Sequence, residues 1–363
     1  MRPEFWKSRR VYVTGHTGFK GSWLTCWLYR LGAEAAGYAL PPATNPALFE
    51  AAGLGRHIRT QFGDIRNLEA LTASLQEFQP EIVIHMAAQP LVRQSYADPI
   101  ETFSTNIMGT ANVLQAARQI KSVKVILNVT TDKCYENKEW DWPYRETDRL
   151  GGHDPYSSSK ACSELVTSAY RDSFFPAAAY EKHGVGIASA RAGNVIGGGD
   201  WSKDRLIPDL LHAIETGKPV KLRSPNAVRP WQHVLEPLHG YLMLCEKLFA
   251  EGDKYSSAWN FGPDENDCKP VSHIASSLLQ LADSDTRLEL ETHPQPHEAG
   301  LLKLATNKSK AKLGWRPLLS LDDALKLTVD WHKQKREQKN VFQTTLNQID
   351  DYMLKIETLY DTA

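Results

Sequence analysis

Cysteine is scarce in this chain, and what there is forms no binding pattern. Cys26, Cys134, Cys162, Cys245 and Cys268 are five among 363 residues, with no Cys-x-x-Cys pair, so neither a zinc site nor a disulfide framework is indicated. Excess charge is missing too. The formal net charge of −1 gives no general attraction to nucleic acid or to an anionic membrane, so any phosphate must be held by local groups. No apolar run is long enough to span a bilayer, and Met1–Arg10 is charged, without the apolar core of a secretion signal. His85, His153 and His212 lack the spacing of metal ligands, there is no internal repeat, and no metal site is expected. These absences point to a reducing compartment, the cytoplasm, and to a small-molecule ligand.

The stretch Val11-Tyr12-Val13-Thr14-Gly15-His16-Thr17-Gly18-Phe19-Lys20-Gly21 stands out. An apolar β-branched run passes through three glycines spaced three apart into a segment of helical period. Gly15 permits a tight turn, Gly18 lets backbone approach a pyrophosphate, and Gly21 lets the helix lie close on the strand, with its positive end facing the phosphates. Apolar residues at Trp23/Leu24, Trp27/Leu28 and Leu31 continue the helix, and Gly32 ends it.

Alternation follows. Strands are expected at Glu34–Leu40, His57–Gly63, Glu81–Ala88, Val123–Thr131 and Gly184–Gly193, with helices at Asn67–Phe78, Asp98–Ile120 and Tyr156–Phe174. Spacing of this kind predicts an α/β fold, a doubly wound parallel sheet whose ligands sit beyond the carboxyl ends of the strands. No acidic residue ends the second strand, which leaves NAD against NADP undecided there. Residues 132–155 form a long aromatic-rich loop. Beyond Gly193 the order is irregular: a helix at Leu206–Thr216, a short strand at Val220–Leu222, a helix at Glu236–Phe249 and a strand at Ala258–Gly262. The division expected is a dinucleotide-binding half over residues 1–193, rejoined around 229–262, and a smaller lobe over 194–340. An amphipathic helix over 341–363 follows, patterned on Phe342, Leu346, Ile349, Met353, Ile356 and Tyr360.

Tyr156-Ser157-Ser158-Ser159-Lys160 places a phenol and an ammonium four apart on one helix face. A free tyrosine titrates near pH ~10, and a neighbouring cation favours its phenolate, which is the requirement for a general base.

Gly15–Gly21, Thr131, Tyr156 and Lys160 together resemble the extended short-chain dehydrogenase/reductase superfamily, over nearly the whole chain. The resemblance implies a Rossmann-type fold binding NAD, with Thr131, Tyr156 and Lys160 as the hydride-transfer centre. It implies cofactor contacts at Gly15, Thr17, Gly18, Phe19, Gly21, Tyr156 and Lys160, at Asp64 and Ile65 around the adenine, and at Ala87, Ala88, Gln89 and Asn106.

Thr131-Asp132-Lys133 narrows it. The nucleotide-sugar 4,6-dehydratases carry an acid after the Thr where epimerases do not, although Lys133 stands where most dehydratases have Glu. With Arg191–Trp201 and Arg229–Val234, this set is similar to the dehydratases that act on CDP-glucose. That implies Asp132 as the acid at C6, Lys133 as the base at C5 or a stabiliser of the enolate, and Asn194, Arg205 and Arg229 near the diphosphate. CDP itself rests on the resemblance alone, and the role of His233 stays open. A homodimer pairing the helices of Asp98–Ile120 and Tyr156–Phe174, and deoxysugar supply for a surface polysaccharide, are implied further off. His297-Glu298-Ala299 matches the family pattern, whereas Ala305 replaces its usual Asp. A 4-epimerase and a non-catalytic NAD-binding sensor are the alternatives. Asp132 weighs against the first, since epimerisation needs no acid at C6, and the retained Thr131, Tyr156 and Lys160 weigh against the second.

Overall fold

The computed structural model describes residues 1–293 and 299–361. Among these, twelve strands form: β1 (Arg10–Thr14), β2 (Glu34–Ala39), β3 (Arg59–Phe62), β4 (Ile82–His85), β5 (Val125–Val129), β6 (Gly186–Ala192), β7 (Asn194–Ile196), β8 (Val220–Leu222), β9 (Val228–His233), β10 (Ala258–Phe261), β11 (Cys268–Pro270) and β12 (Leu288–Leu290). Seven make one parallel sheet in the order β10-β6-β5-β4-β1-β2-β3. Strand order reverses between β1 and β4, and in a sheet of this kind that reversal opens a crevice beyond the strand ends.

The strand sequences explain the burial. Val11 and Val13 face one core with Ile82, Ile84 and Leu127, while Tyr12 faces the other with Val83 and Ile126, so successive side chains feed opposite layers. Helices Leu68–Phe78, Gly109–Arg118 and Pro155–Phe174 cover the second face. The first is covered by Phe19–Arg30, Leu235–Tyr255 and the last helix, Val341–Asp361.

A smaller apolar cluster, with Leu210, Trp231, Ile274 and Leu325, organises the C-terminal lobe around two short sheets, β11-β9-β7 and β12-β8. The chain rejoins the large sheet through Leu235–Tyr255 and β10, while β9 belongs to the lobe. Met353 and Ile356 pack with the first core as the amphipathic pattern requires. The side chain of Tyr360 lies outside the described residues, as do His297 and Glu298.

One expectation is corrected. Asp98–Ile120 is not one α-helix: Pro99–Phe103 and Gly109–Arg118 flank a π-helical turn, Ser104–Met108, that holds Asn106. The 132–155 loop is tied down at several points. Tyr135 bridges to Leu150, Tyr144 bridges to Leu304, and Tyr135 Oη donates to Asn260 Oδ1 at 2.7 Å.

Candidate active site

One cleft of about 1190 Å³ runs from the carboxyl ends of β1, β4 and β5 into the C-terminal lobe. Single small-molecule sites fill roughly 300–1,000 Å³, so there is room for more than one ligand.

At the sheet end, the first turn of helix Phe19–Arg30 faces the cleft with Gly18 as its cap and neither a capping side chain nor an acid. Gly15 has φ of +78°, and a Cβ there would stand 2.6 Å from Ala87 N. At Gly21 a Cβ would meet Gly15 O at 2.1 Å, so helix and turn touch through backbone. At Gly18 it would meet nothing nearer than Gly15 O at 3.5 Å, so the bare backbone there serves whatever enters from the cleft. Uncapped N–H groups at a positive helix end suit a pyrophosphate, and the residues fit a dinucleotide. Thr17, Phe19, Asp64, Ile65, Ala87 and Ala88 line the same end. Gln89 and Asn106 do not. They lie behind the wall, Gln89 N donating to Asn106 Oδ1 at 2.8 Å and Asn106 Nδ2 to Gln89 O at 3.0 Å and Ser159 Oγ at 2.8 Å. Their place is to hold the loop after β4 against the helix of Tyr156.

At the centre, Thr131 caps a short 3₁₀ turn, Asp132–Cys134. Thr131 Oγ1 donates to Asp132 Oδ1 at 3.0 Å and accepts from Lys133 N at 3.3 Å, while Lys133 Nζ lies 3.6 Å from Asp132 Oδ1. Asp132 is fully enclosed and does not line the cleft, and among the described residues its Oδ2 has no partner. Its carboxyl meets the cleft through Thr131 and Lys133, both of which line it.

Asp154 caps the next helix, accepting from Ser157 N at 2.9 Å, and sets Tyr156 and Lys160 facing the turn. The expected lowering of the Tyr156 phenol by Lys160 is not what this arrangement gives. Burial pushes Tyr156 up to about 12, against a hydrogen bond with Thr131 and the charge of Arg205. Lys160 Nζ turns instead to Val129 O at 3.3 Å, and burial draws its ammonium down to about 8.

One residue was missed by the sequence reading. Lys20, from the first turn of the glycine-bounded helix, lines the cleft, and its Nζ stands 5.7 Å from the centre of the Tyr241 ring. Burial, with Arg205 and Lys160 nearby, brings it down to about 7. Its place inside the glycine motif was the available signal.

In the lobe, Asn194 on β7, Arg205 before helix Leu206–Thr216 and Arg229 on β9 line the cleft's continuation. Asn194 Oδ1 is buried without a protein partner among the described residues, as an atom awaiting a ligand donor would be. Arg205 donates to Asp200 at 3.0 Å, and Arg229 to Val228 O at 3.0 Å and to Ala299 O. His233 is fully buried against Trp23, away from this wall.

Comparison with known proteins bears on this geometry. The family model for GDP-mannose 4,6 dehydratase matches residues 12–328. A CDP-glucose 4,6-dehydratase of Salmonella typhimurium is 52% identical over 349 residues, 96% of this chain and 97% of the relative. Among solved structures, a Streptomyces venezuelae dTDP-glucose 4,6-dehydratase with NAD bound superposes with a TM-score of 0.77 at 24% identity, covering 92% of this chain and 99% of that one. A Thermus thermophilus UDP-glucose 4-epimerase in complex with NAD gives a TM-score of 0.74 at 25% identity, over 88% and 98% of the two chains.

Proposed function

The chain belongs to the GDP-mannose 4,6-dehydratase family, and from that premise we propose that it is an NAD-dependent hydro-lyase converting CDP-glucose to CDP-4-keto-6-deoxyglucose and water. The observation that carries the reading is the turn Thr131-Asp132-Lys133 facing Tyr156 across the cleft, an acid and an amine joined to the hydroxyl and phenol of a hydride-transfer centre.

NAD would be held at the Gly15–Gly21 turn and, when bound, would supply the hydride store, accepting hydride from C4 of the hexose and giving it back at C6. Tyr156 takes the O4 proton, with Thr131 holding the same hydroxyl. The 4-ketone so formed acidifies C5, whose proton goes to Lys133 in its neutral amine form and is given back to C5 as hydride reaches C6. Asp132, 3.6 Å from Lys133 Nζ, is the source of the proton that leaves with the C6 hydroxyl as water. Asn194, Arg205 and Arg229 hold the diphosphate, the arginines by forked donors suited to phosphate oxygens.

The protein acts in the cytoplasm, supplying a deoxysugar for a surface polysaccharide, and works as a homodimer or higher homo-oligomer. Exposed Ile100 and Met108 on the first of the two segments expected to pair, and exposed Leu165 and Phe174 on the second, support the pairing, and a sedimentation mass of one chain would rule it out. Among the described residues no helix is long and apolar enough to cross a membrane.

The experiment is incubation with CDP-glucose and separately with dTDP-glucose, following the alkaline absorbance of a 4-keto-6-deoxy product. Product from CDP-glucose is expected. Epimerisation of a nucleotide hexose without dehydration, or no turnover with NAD added, would replace this reading.

A further inference from the structure

On the reading of this chain as a CDP-glucose dehydratase, on which this inference rests, a linear ligand must be laid along the cleft. Its hexose meets Thr131 and Tyr156 and its diphosphate meets Arg205 and Arg229. Ribose and base therefore extend past the arginines to the wall built by helix Leu206–Thr216 and β8. That wall carries the nearly buried apolar side chains Val220, Leu222 and Ala227, a slot for a planar ring.

An apolar slot discriminates poorly among pyrimidines, because it senses bulk and not hydrogen-bonding groups. The bases differ at one edge. Cytosine presents an N4 amine that donates, where uracil and thymine present an O4 that accepts. An ionised carboxylate is acceptor-only, so placed at that edge it bonds the amine and repels O4.

Asp209 meets this description. It stands in the first turn of helix Leu206–Thr216 and lines the cleft at this end. The neighbouring carboxylates are taken: Asp200 by Arg205 at 3.0 Å, and Asp204 by Arg223 at 3.1 Å and Arg93 at 3.7 Å. Among the described residues, no basic side chain comes within ion-pair distance of Asp209. The backbone N–H of Asp204 lies near enough to favour its charged form, and the lone pairs of its carboxylate are left for a ligand. Burial pushes this carboxyl up to about 6, opposed by the charge of Arg223, so at pH 7.5 it is ionised.

We propose that Asp209 selects cytosine over uracil and thymine by accepting a hydrogen bond from the exocyclic amine of the base.

The test measures calorimetric affinities for CDP, UDP and dTDP at pH 7.5 in the wild type, Asp209→Asn and Asp209→Leu, beside CDP-glucose turnover by the wild type. An asparagine turns its amide to serve either edge, so the CDP-over-UDP preference of D209N is expected to fall by about tenfold. In D209L, affinity for CDP falls while that for dTDP is kept. Each ratio is taken on one preparation, so an inactive fraction cancels. A wild type that converts CDP-glucose, with a CDP-over-UDP ratio unchanged in both variants, overturns the proposal and leaves the dehydratase reading standing; Asp209 is then only a first-turn helix charge. A wild type that neither converts CDP-glucose nor prefers CDP overturns the dehydratase reading itself.

Discussion

Glu164 beneath the Asp132–Cys134 turn and Glu236 beneath the C-terminal helix are 4% and 1% exposed, yet their carboxyls are shifted in opposite directions. Glu164, one helical turn beyond Lys160, accepts from Arg191 Nε and Nη2, both at 2.9 Å, from Ser189 Oγ at 2.5 Å and from Thr130 Oγ1. Burial alone would raise its carboxyl, but the arginine and these bonds hold it below the usual range. Arg191 Nη1 continues to Tyr135 Oη at 2.8 Å and Glu146 O at 3.1 Å, so one ion pair ties β5, β6 and the 132–155 segment together.

Among the described residues, Glu236 has no cation within ion-pair distance. It accepts from Leu318 N at 2.9 Å, Leu319 N at 2.7 Å and Tyr352 Oη at 2.9 Å, and burial pushes it up to about 7. The paired acid gives an alignment that does not respond to ordinary pH. The other is raised by burial against the pull of its three donors, so its stabilising contribution fades as pH rises through about 7.

The contrast can be broken at either end. Arg191→Met should have the largest effect, because it leaves Glu164 enclosed and uncompensated. A loss of about 3–5 kcal/mol is expected in denaturant unfolding, with turnover reduced as the Tyr135 contact goes. A smaller cost would mean that the hydrogen bonds alone hold the charge.

Glu236 gives the next effect. Its folded value is raised from the ordinary 4.5, so its contribution is complete below about 4.5 and is lost as pH rises through about 7. Relative to Glu236→Gln, the wild type should lose roughly 3 kcal/mol between pH 5 and pH 8. A flat difference across that range would remove the distinction between the two sites. Tyr352→Phe is the mildest change. Loss of one hydrogen bond should cost about 1 kcal/mol and move the pH midpoint of the Glu236 effect upward, since the lost bond favours the charged form.

What could be read from the sequence was whatever is local. The Gly15–Gly21 turn, the helix Leu206–Thr216 and the strand Val220–Leu222 follow from turn chemistry and period, and the structure places them at those residues. The four-residue spacing of Tyr156 and Lys160 put both on one face. The direction in which Lys160 reaches, to Val129 O, depends on a strand 31 residues earlier and leaves no local mark. The π turn around Asn106 leaves no mark in the apolar spacing, and the bonds Asn106 makes there are to Gln89, seventeen residues earlier. Asp209 and Glu236 sit in the first turns of helices, where charged residues are usually solvated, so nothing in their own neighbourhood announced burial, whereas Lys20 carried the signal of the glycine motif around it.

The last helix rests on the first long one. Trp27 and Tyr352 meet edge to face at 5.6 Å, and Arg30 donates to Asp350 at 2.6 Å. Residues 19–30 are translated more than three hundred codons before the helix that covers them. Until residues 341–361 follow, the Trp27 indole lacks the Tyr352 ring that lies against it. A chain halted before residue 341 leaves this part of the apolar face open to chaperones and proteases.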